Sequence, residues 1–403
     1  MMKVARTFLS SGRIFFVLFI AVSAVVFAMF QGGKVSWTIF YVLFPFICYS
    51  ILLFFYPLVD IKAERTIRTP NVQNGGKLAV SITVYRRIRF PLLYTVVTEQ
   101  WEEKEIPKLA GEKLKRFFLW GFRKEVKWEY EIERMPRGEH VLQGVEVEVS
   151  DFFGWIKKKK FIPAKHTILV YPKTVSINYV PIDTQYDRGS MASPLNIVKD
   201  TTMATGVRNY QPGDRVTWIH WKSFARTQSL MTKEFEDKRS QELFLILDSR
   251  PAETFEGQVE LAASILKEST SQQAGLTFMS TGAESSIFPF IQSEEQFHRA
   301  LVHLAKIKPS KDQSDARLPG GEETSGHGGS IVLITGNPDW PFIQSVTQNV
   351  KNARRIVCFV VTQDGQIPPT LASNIQLAKS RGIAVHSLAQ ERFTTAFEEV
   401  TRL

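Results

Sequence analysis

Cysteine is nearly absent: Cys48 and Cys358 are the only two in 403 residues. One lies in a long apolar run and the other in a short strand-like one, so no disulfide framework is possible, in keeping with a reducing compartment for the soluble part. The phosphate-binding pattern Gly-x-x-x-x-Gly-Lys-Ser/Thr does not occur, which removes nucleotide hydrolysis from the chain's own repertoire. The seven histidines form no metal-ligand grouping; His298 and His303 stand five apart, the wrong offset for one helical face. A one-signed basic face is missing too. The net charge is +10, but Lys and Arg are interspersed with Asp and Glu throughout, which fits a protein resting near an anionic membrane face rather than one binding nucleic acid.

Charge itself is absent from two stretches, Ile14 to Phe30 and Val35 to Val59. The first is about 25 Å long as a helix, close to the minimum for a bilayer core, and the second is comfortably long. The short Gln31 to Ser36 loop between them predicts a tight helical hairpin over residues 1–60, with Pro45 placed to kink the second helix and Trp37, Tyr41 and Tyr56 near its ends. A cleaved signal peptide fits less well, because Ala28-Met29-Phe30 offers no small-x-small site and a second apolar helix follows at once. Lys3, Arg6 and Arg13 precede the hairpin and Lys62, Arg65 and Arg68 follow it, against Lys34 alone in the loop. That bias predicts a multi-pass protein of the cell membrane with both termini cytoplasmic.

From 61 to 173 the text alternates as half-buried strands do, as in Leu78–Val84 and Val145–Val149, with turn signals at Asn74-Gly75-Gly76, Pro136-Arg137-Gly138 and Gly154. A small antiparallel β-sandwich is expected. Lys157 to Lys160 is its one charge run and reads as a solvated strand end in preference to a phospholipid contact. Residues 174–240 form a connecting segment. Beyond it, 241–403, short apolar strands (Leu243–Leu247, Leu276–Met279, Ile331–Ile334, Ile356–Val361, Ile383–Val385) alternate with helical stretches, which predicts a parallel sheet covered on both faces. Lys308 to Gly329 is expected to be a long mobile loop.

The densest feature lies in the connecting segment, where Arg208, Tyr210, Asp214, His220, Trp221, Lys222 and Arg226 crowd into Gly206 to Phe235. The run is too polar for a core strand and too aromatic for a linker. Its Arg208-x-Tyr210-x-Pro212-Gly213-Asp214, Ile219-His220-Trp221-Lys222 and Ala225-Arg226, with Arg137-Gly138, Asp151-Phe152-Phe153-Gly154-Trp155 and Tyr171-Pro172 upstream, resemble the domain of unknown function 58 family. Two positions depart from the family's pattern: Asn209, where an acidic residue is common, and Thr217, where an arginine is. The resemblance implies a membrane hairpin, a β-rich domain and an α/β von Willebrand A-like (Rossmann-type) domain. It also implies partnership with a MoxR-type AAA+ ATPase, often with a membrane transglutaminase-like protein in the same system.

Von Willebrand A-like domains that hold a divalent ion carry Asp-x-Ser-x-Ser after the first strand, a carboxylate and two hydroxyls suited to a hard cation. Here the text reads Asp248-Ser249-Arg250-Pro251-Ala252, with Arg250 and Ala252 in the hydroxyl positions, and Thr335-Gly336 stands where a later acidic residue is expected. The metal site is therefore expected to be degenerate, with no cofactor. For the central cluster two roles stand side by side. It is either a polar lock, pairing Arg208, Lys222 and Arg226 with Asp214, Glu234 or Glu236, or a docking surface whose arginine and aromatic side chains are of the kinds that dominate interfaces. The expected function is a non-enzymatic, membrane-anchored adaptor; the alternative is a membrane-bound hydrolase with His220 as base and Asp214 orienting it.

Overall fold

The computed structural model describes residues 2–178, 204–211, 216–235, 243–272, 274–282, 285–310, 330–349, 355–365 and 369–401. Two compact units divide at Pro172 and Lys173.

The first unit opens with helices α1 (Met2–Gln31) and α2 (Lys34–Phe55), which turn at Gly32, where φ of +52° suits a residue without Cβ. Gly12–Gln31 and Lys34–Phe55, at 20 and 22 residues, are long and apolar enough to cross a bilayer. Strands β1 (Lys62–Ile67), β2 (Val72–Gln73), β3 (Leu78–Tyr85), β4 (Tyr94–Trp101), β5 (Lys115–Phe118), β6 (Glu125–Ile132), β7 (Gly138–Ser150) and β8 (Lys157–Tyr171) follow, with a short helix α3 (Glu105–Ala110) after β4. They form a sheet of order β1-β3-β6 and another of order β2-β8-β7-β4-β5. All pairings are antiparallel except β2 with β8. Alternation drives the arrangement: every second side chain of β4 and β6 is buried. Leu78, Val80 and Ile82 from the first sheet join Val97, Val145 and Val147 from the second in a single core, which also takes in Leu53 and Tyr56 of the α2 end.

The lysine run at the start of β8 does more than face solvent. Lys158 Nζ donates to the carbonyls of Phe54 and Tyr56 at 2.9 and 2.6 Å, and Lys160 Nζ to those of Val59 and Ile61 at 2.9 and 2.6 Å. Lysines that reach the carbonyls a helix end leaves unmatched satisfy acceptors and oppose the negative end of the helix dipole. Lys159, on the other face, pairs with Glu146 and Glu148.

In the second unit β9 (Ala204–Asn209) and β10 (Met231–Phe235) form a two-stranded sheet, with helix α4 (Trp221–Thr227) between them. Strands β11 (Leu243–Leu247), β12 (Leu276–Ser280), β13 (Ser286–Ile291), β14 (Ser330–Thr335), β15 (Ile356–Thr362) and β16 (Ala384–Ala389) form a six-stranded sheet of order β13-β12-β11-β14-β15-β16. All neighbours are parallel but β13, an antiparallel edge. Alternate residues serve opposite faces. Leu243, Leu245 and Leu247 pack with helices α5 (Phe255–Ser271) and α6 (Glu294–Lys306), whereas Phe244 and Ile246 join the core beneath α7 (Trp340–Asn349) and α8 (Pro369–Ser380). Helix α9 (Ala396–Thr401) closes the first of these faces through Ala396 and Phe397. Ile177, ahead of the segment that includes the motif, is already buried in the same core. The expected mobile loop from Lys308 lies, beyond residue 310, outside the described residues.

Candidate functional site

The order of the six strands places a topological switch at β11, whose successor β12 lies on one side and β14 on the other. Open α/β sheets bind ligands at such a point, outside the carboxyl ends of the strands. Asp248 directly follows β11 there, 2% exposed, and Thr335 ends β14 beside it.

Arg250 fills the ground in front of that carboxylate. Its Nε lies 3.0 and 3.1 Å from the two Asp248 oxygens, its Nη2 2.8 Å from Oδ2, and its backbone N–H 3.0 Å from Oδ1. Thr335 Oγ1 donates to the same Oδ2 at 2.6 Å. The guanidinium also donates to Asp339 at 2.8 Å and to the Asn337 carbonyl at 2.7 Å, and it lies 4.1 Å over the Phe342 ring. Burial alone would make Arg250 easier to deprotonate; the bonds and charges of Asp248 and then Asp339 outweigh it, so its pKa lies above the ordinary arginine value. A carboxylate offers about four lone-pair sites, and these contacts take all of them. A permanent organic cation tethered two residues away thus stands against the Asp248 carboxylate. Among the described residues no group of three or more His, Cys, Asp or Glu side chains is placed to hold a metal.

Gly336 lets the neighbouring loops close on this point: a Cβ there would lie 2.5 Å from the Gln258 amide, 2.7 Å from Thr254 Oγ1 and 2.8 Å from Ala252 Cβ. With its amide oriented to satisfy both ends, Gln258 donates to the Asp248 carbonyl at 3.1 Å and accepts from Gly336 N–H at 3.0 Å. An open cleft of about 430 Å³ adjoins, lined by Thr254, Gly336, Thr362 and Asp364 among others. Glu253 and Asp364 give its mouth negative charge. Cys358 lies in the sheet core, its thiol pushed up to about 12 by burial and by the Asp248 charge, so it is no nucleophile at neutral pH.

The motif residues sit elsewhere in the unit. Arg208 is on β9, opposite Thr232 of β10, and donates to the Asn209 carbonyl at 3.1 Å. Tyr210 follows β9, and its N–H bonds the Leu230 carbonyl at 2.9 Å. His220 precedes α4, held by its own N–H on the Met231 carbonyl at 2.8 Å. Its Nδ1 accepts from Ser223 N–H at 3.2 Å and lies 2.7 Å from Ser223 Oγ, an arrangement that satisfies an otherwise orphaned donor of the helix start. Trp221, Lys222 and Arg226 are exposed, with Trp221 at 60% and edge-on to Phe224 at 6.1 Å. Asp214 and Glu236 lie outside the described residues, as does the side chain of Glu234, so the expected pairings of the lock fall there. Among the described residues, neither core flanking the sheet draws a side chain from β9, α4 or β10. Ser223 was not among the expected site residues; its i, i+3 spacing from His220 is the signal that places it.

Residues 206–324, covering the motif and the first part of the sheet, match the family described as Protein of unknown function DUF58. Over 281 residues the chain is 38% identical to Uncharacterized protein YeaD of Bacillus subtilis (strain 168), an alignment spanning 69% of this chain and 70% of the relative. The chain belongs to the DUF58 family. YeaD's name assigns no activity, so the DUF58 membership identifies kinship and leaves function to the site itself. Among solved structures, the bacterial hydrophobin BslA is similar at 11% identity and a TM-score of 0.20, over 28% of this DUF58 chain and 98% of its own. Cwp6 from Clostridium difficile is similar at 9% and 0.17, over 82% and 37%. Likenesses that slight bear on neither fold nor function.

Proposed function

We propose that this DUF58 protein is a membrane-anchored, non-enzymatic adaptor that docks a MoxR-type AAA+ ATPase, with a membrane transglutaminase-like protein as a further partner. In this reading α1 and α2 are a transmembrane hairpin with both ends cytoplasmic. The two sheets of the first unit are a β-sandwich, and the second unit is a von Willebrand A-like domain whose ion has been replaced by Arg250. The ATPase supplies the nucleotide chemistry that the chain lacks.

The observation that carries the reading is the face of α4. Trp221 and Phe224, 60% and 37% exposed, are flanked by the exposed cations Lys222 and Arg226, with Val216 and Leu230 exposed nearby at 65% and 45%. Aromatic and guanidinium groups are the side chains that anchor interfaces, and the cationic rim favours a partner with carboxylates around an apolar pocket. Alanine at Arg208, Trp221 or Arg226 should each weaken ATPase association by more than about 1 kcal/mol, roughly fivefold in Kd. Melting temperature should stay unchanged for W221A and R226A, whose side chains support no core. Full affinity in folded variants at all three positions would overturn the docking role.

A second reading, a membrane-bound hydrolase using His220 and Asp214, draws support from the 2.7 Å His220–Ser223 contact. It predicts labelling of the wild-type chain, but not of S223A, by a serine-directed fluorophosphonate. The adaptor reading predicts no labelling of either.

A further inference from the structure

The turn between β7 and β8 carries Phe152, Phe153 and Trp155, and it folds against the helical hairpin. Phe152 and Phe153 each lie 5.3 Å from the Phe46 ring of α2, and Trp155 lies 6.4 Å from Phe16 of α1. Phe153 stacks on Trp155 at 4.5 Å, and Tyr94 bridges Phe152 to Phe117 at 5.5 and 5.6 Å. Phe152, Phe153 and Phe117 nonetheless remain 51%, 49% and 50% exposed. Asp151, 1% exposed, fixes the turn by accepting from Ser50 Oγ at 2.6 Å and Ile156 N–H at 3.2 Å. No charge is left facing outward from that carboxylate.

Depth along the helices decides what covers these rings. At 1.5 Å per residue, Phe46 lies about 18 Å from the Lys34 end of α2 and Phe16 about 22 Å from the Gln31 end of α1. A bilayer core is about 30 Å thick. If the hairpin turn stands at the far boundary, these contacts lie roughly 8–12 Å short of the near one. The Phe152–Trp155 turn then lies within the apolar slab, packed beside the ends of α1 and α2. Phenyl and indole rings there face lipid instead of water.

We infer that the Phe152–Trp155 turn, with Phe117, is a lipid-facing surface: the β unit is partly immersed in the bilayer beside the ends of α1 and α2. The inference rests on the transmembrane reading of the hairpin. Its occupant is the acyl-chain region of the bilayer, not a protein groove.

The test uses the full chain, carrying Cys48→Ala, reconstituted in phosphatidylcholine and phosphatidylglycerol nanodiscs with an environment-sensitive fluorophore at one introduced cysteine. Phe153→Cys probes the turn and Phe40→Cys the hairpin. Glu133→Cys, exposed next to the Ile132 end of β6, probes the strand end remote from α2. Lipids bearing a shallow or a deep nitroxide and aqueous iodide serve as quenchers. The expected result is strong quenching at Phe153 by the lipid nitroxides, the deep one included, with iodide quenching reduced at least fivefold relative to Glu133, and strong lipid quenching at Phe40 as well. Iodide quenching at Phe153 equal to that at Glu133, with Phe40 still quenched from the lipid, overturns the immersion and leaves the anchor standing. Loss of lipid quenching at Phe40 overturns both. Phe152→Cys repeats the measurement on the neighbouring ring, so one misfolded variant does not decide it.

Discussion

Replacing Arg250 with methionine keeps an apolar stem over Phe342 while deleting the charge. Asp248, 2% exposed, would then retain only Thr335 Oγ1 and the backbone N–H of residue 250, and Asp339 would lose its nearest cation. Breaking one side of a buried ion pair costs about 3–5 kcal/mol, because the remaining charge stays desolvated. A unit the length of Lys173–Leu403 shifts by about 2–4 °C per kcal/mol, so its transition should fall by roughly 6–20 °C. Differential scanning calorimetry of the full chain in detergent reads this directly. The double variant D248N/R250M removes both charges and should recover at least half of the loss, since the two residues act as one unit. A single variant within about 0.5 kcal/mol of wild type, the range of ordinary surface changes, would refute the claim that Arg250 neutralises a buried site.

The filled site should also make the wild-type transition indifferent to chelator and to added Mg²⁺, while R250S/A252S, which restores both hydroxyl positions, should gain about 2.7 kcal/mol at one hundred times its Kd. A wild-type rise with Mg²⁺ would count against the occupied geometry. In the first unit Glu99 is buried against Arg65 at 2.5 Å and accepts from Tyr130; burial raises its pKa from 4.5 to about 7 despite the arginine. Because the folded state holds that proton more tightly, the stability it contributes is complete below about 4.5 and is lost as pH rises through about 7, on the order of 3 kcal/mol in all. Urea midpoints across that range should fall for wild type and lose this slope in E99Q; equal slopes would exclude Glu99 as the source. For topology, a cysteine introduced between Gln31 and Ser36 should react with an impermeant thiol reagent outside intact cells and one at Gln363 should not, the reverse pattern refuting cytoplasmic termini.

Much of the α/β architecture was legible because strands buried on both faces leave near-continuous apolar text: Leu243–Leu247 and Ile356–Val361 coincide with β11 and nearly all of β15. β13 escaped because an edge strand tolerates what a central one does not, here Pro289 and the left-handed Phe290 at φ +49°. β9 and β10 escaped for the opposite reason: they form a two-stranded sheet of their own, so no apolar alternation marks them. The sequence placed Arg250 beside Asp248 but could not close the ring through Thr335 and Asp339. That needs β14 laid next to β11, a contact across 87 residues. The Asp151–Trp155 text was conspicuous, yet its seat on Phe46 depends on a helix about a hundred residues earlier.

Lys158 and Lys160, clasping four consecutive-turn carbonyls beyond and at the end of α2, give the hairpin a mechanical character. A flexible tether would let the β unit swivel about its attachment. A shaft keyed at its end does not: any tilt or axial rotation of the helices is carried into the β sheets as torque. Under the transmembrane reading of the hairpin, lipid that tilts α1 and α2 therefore turns the β unit with them.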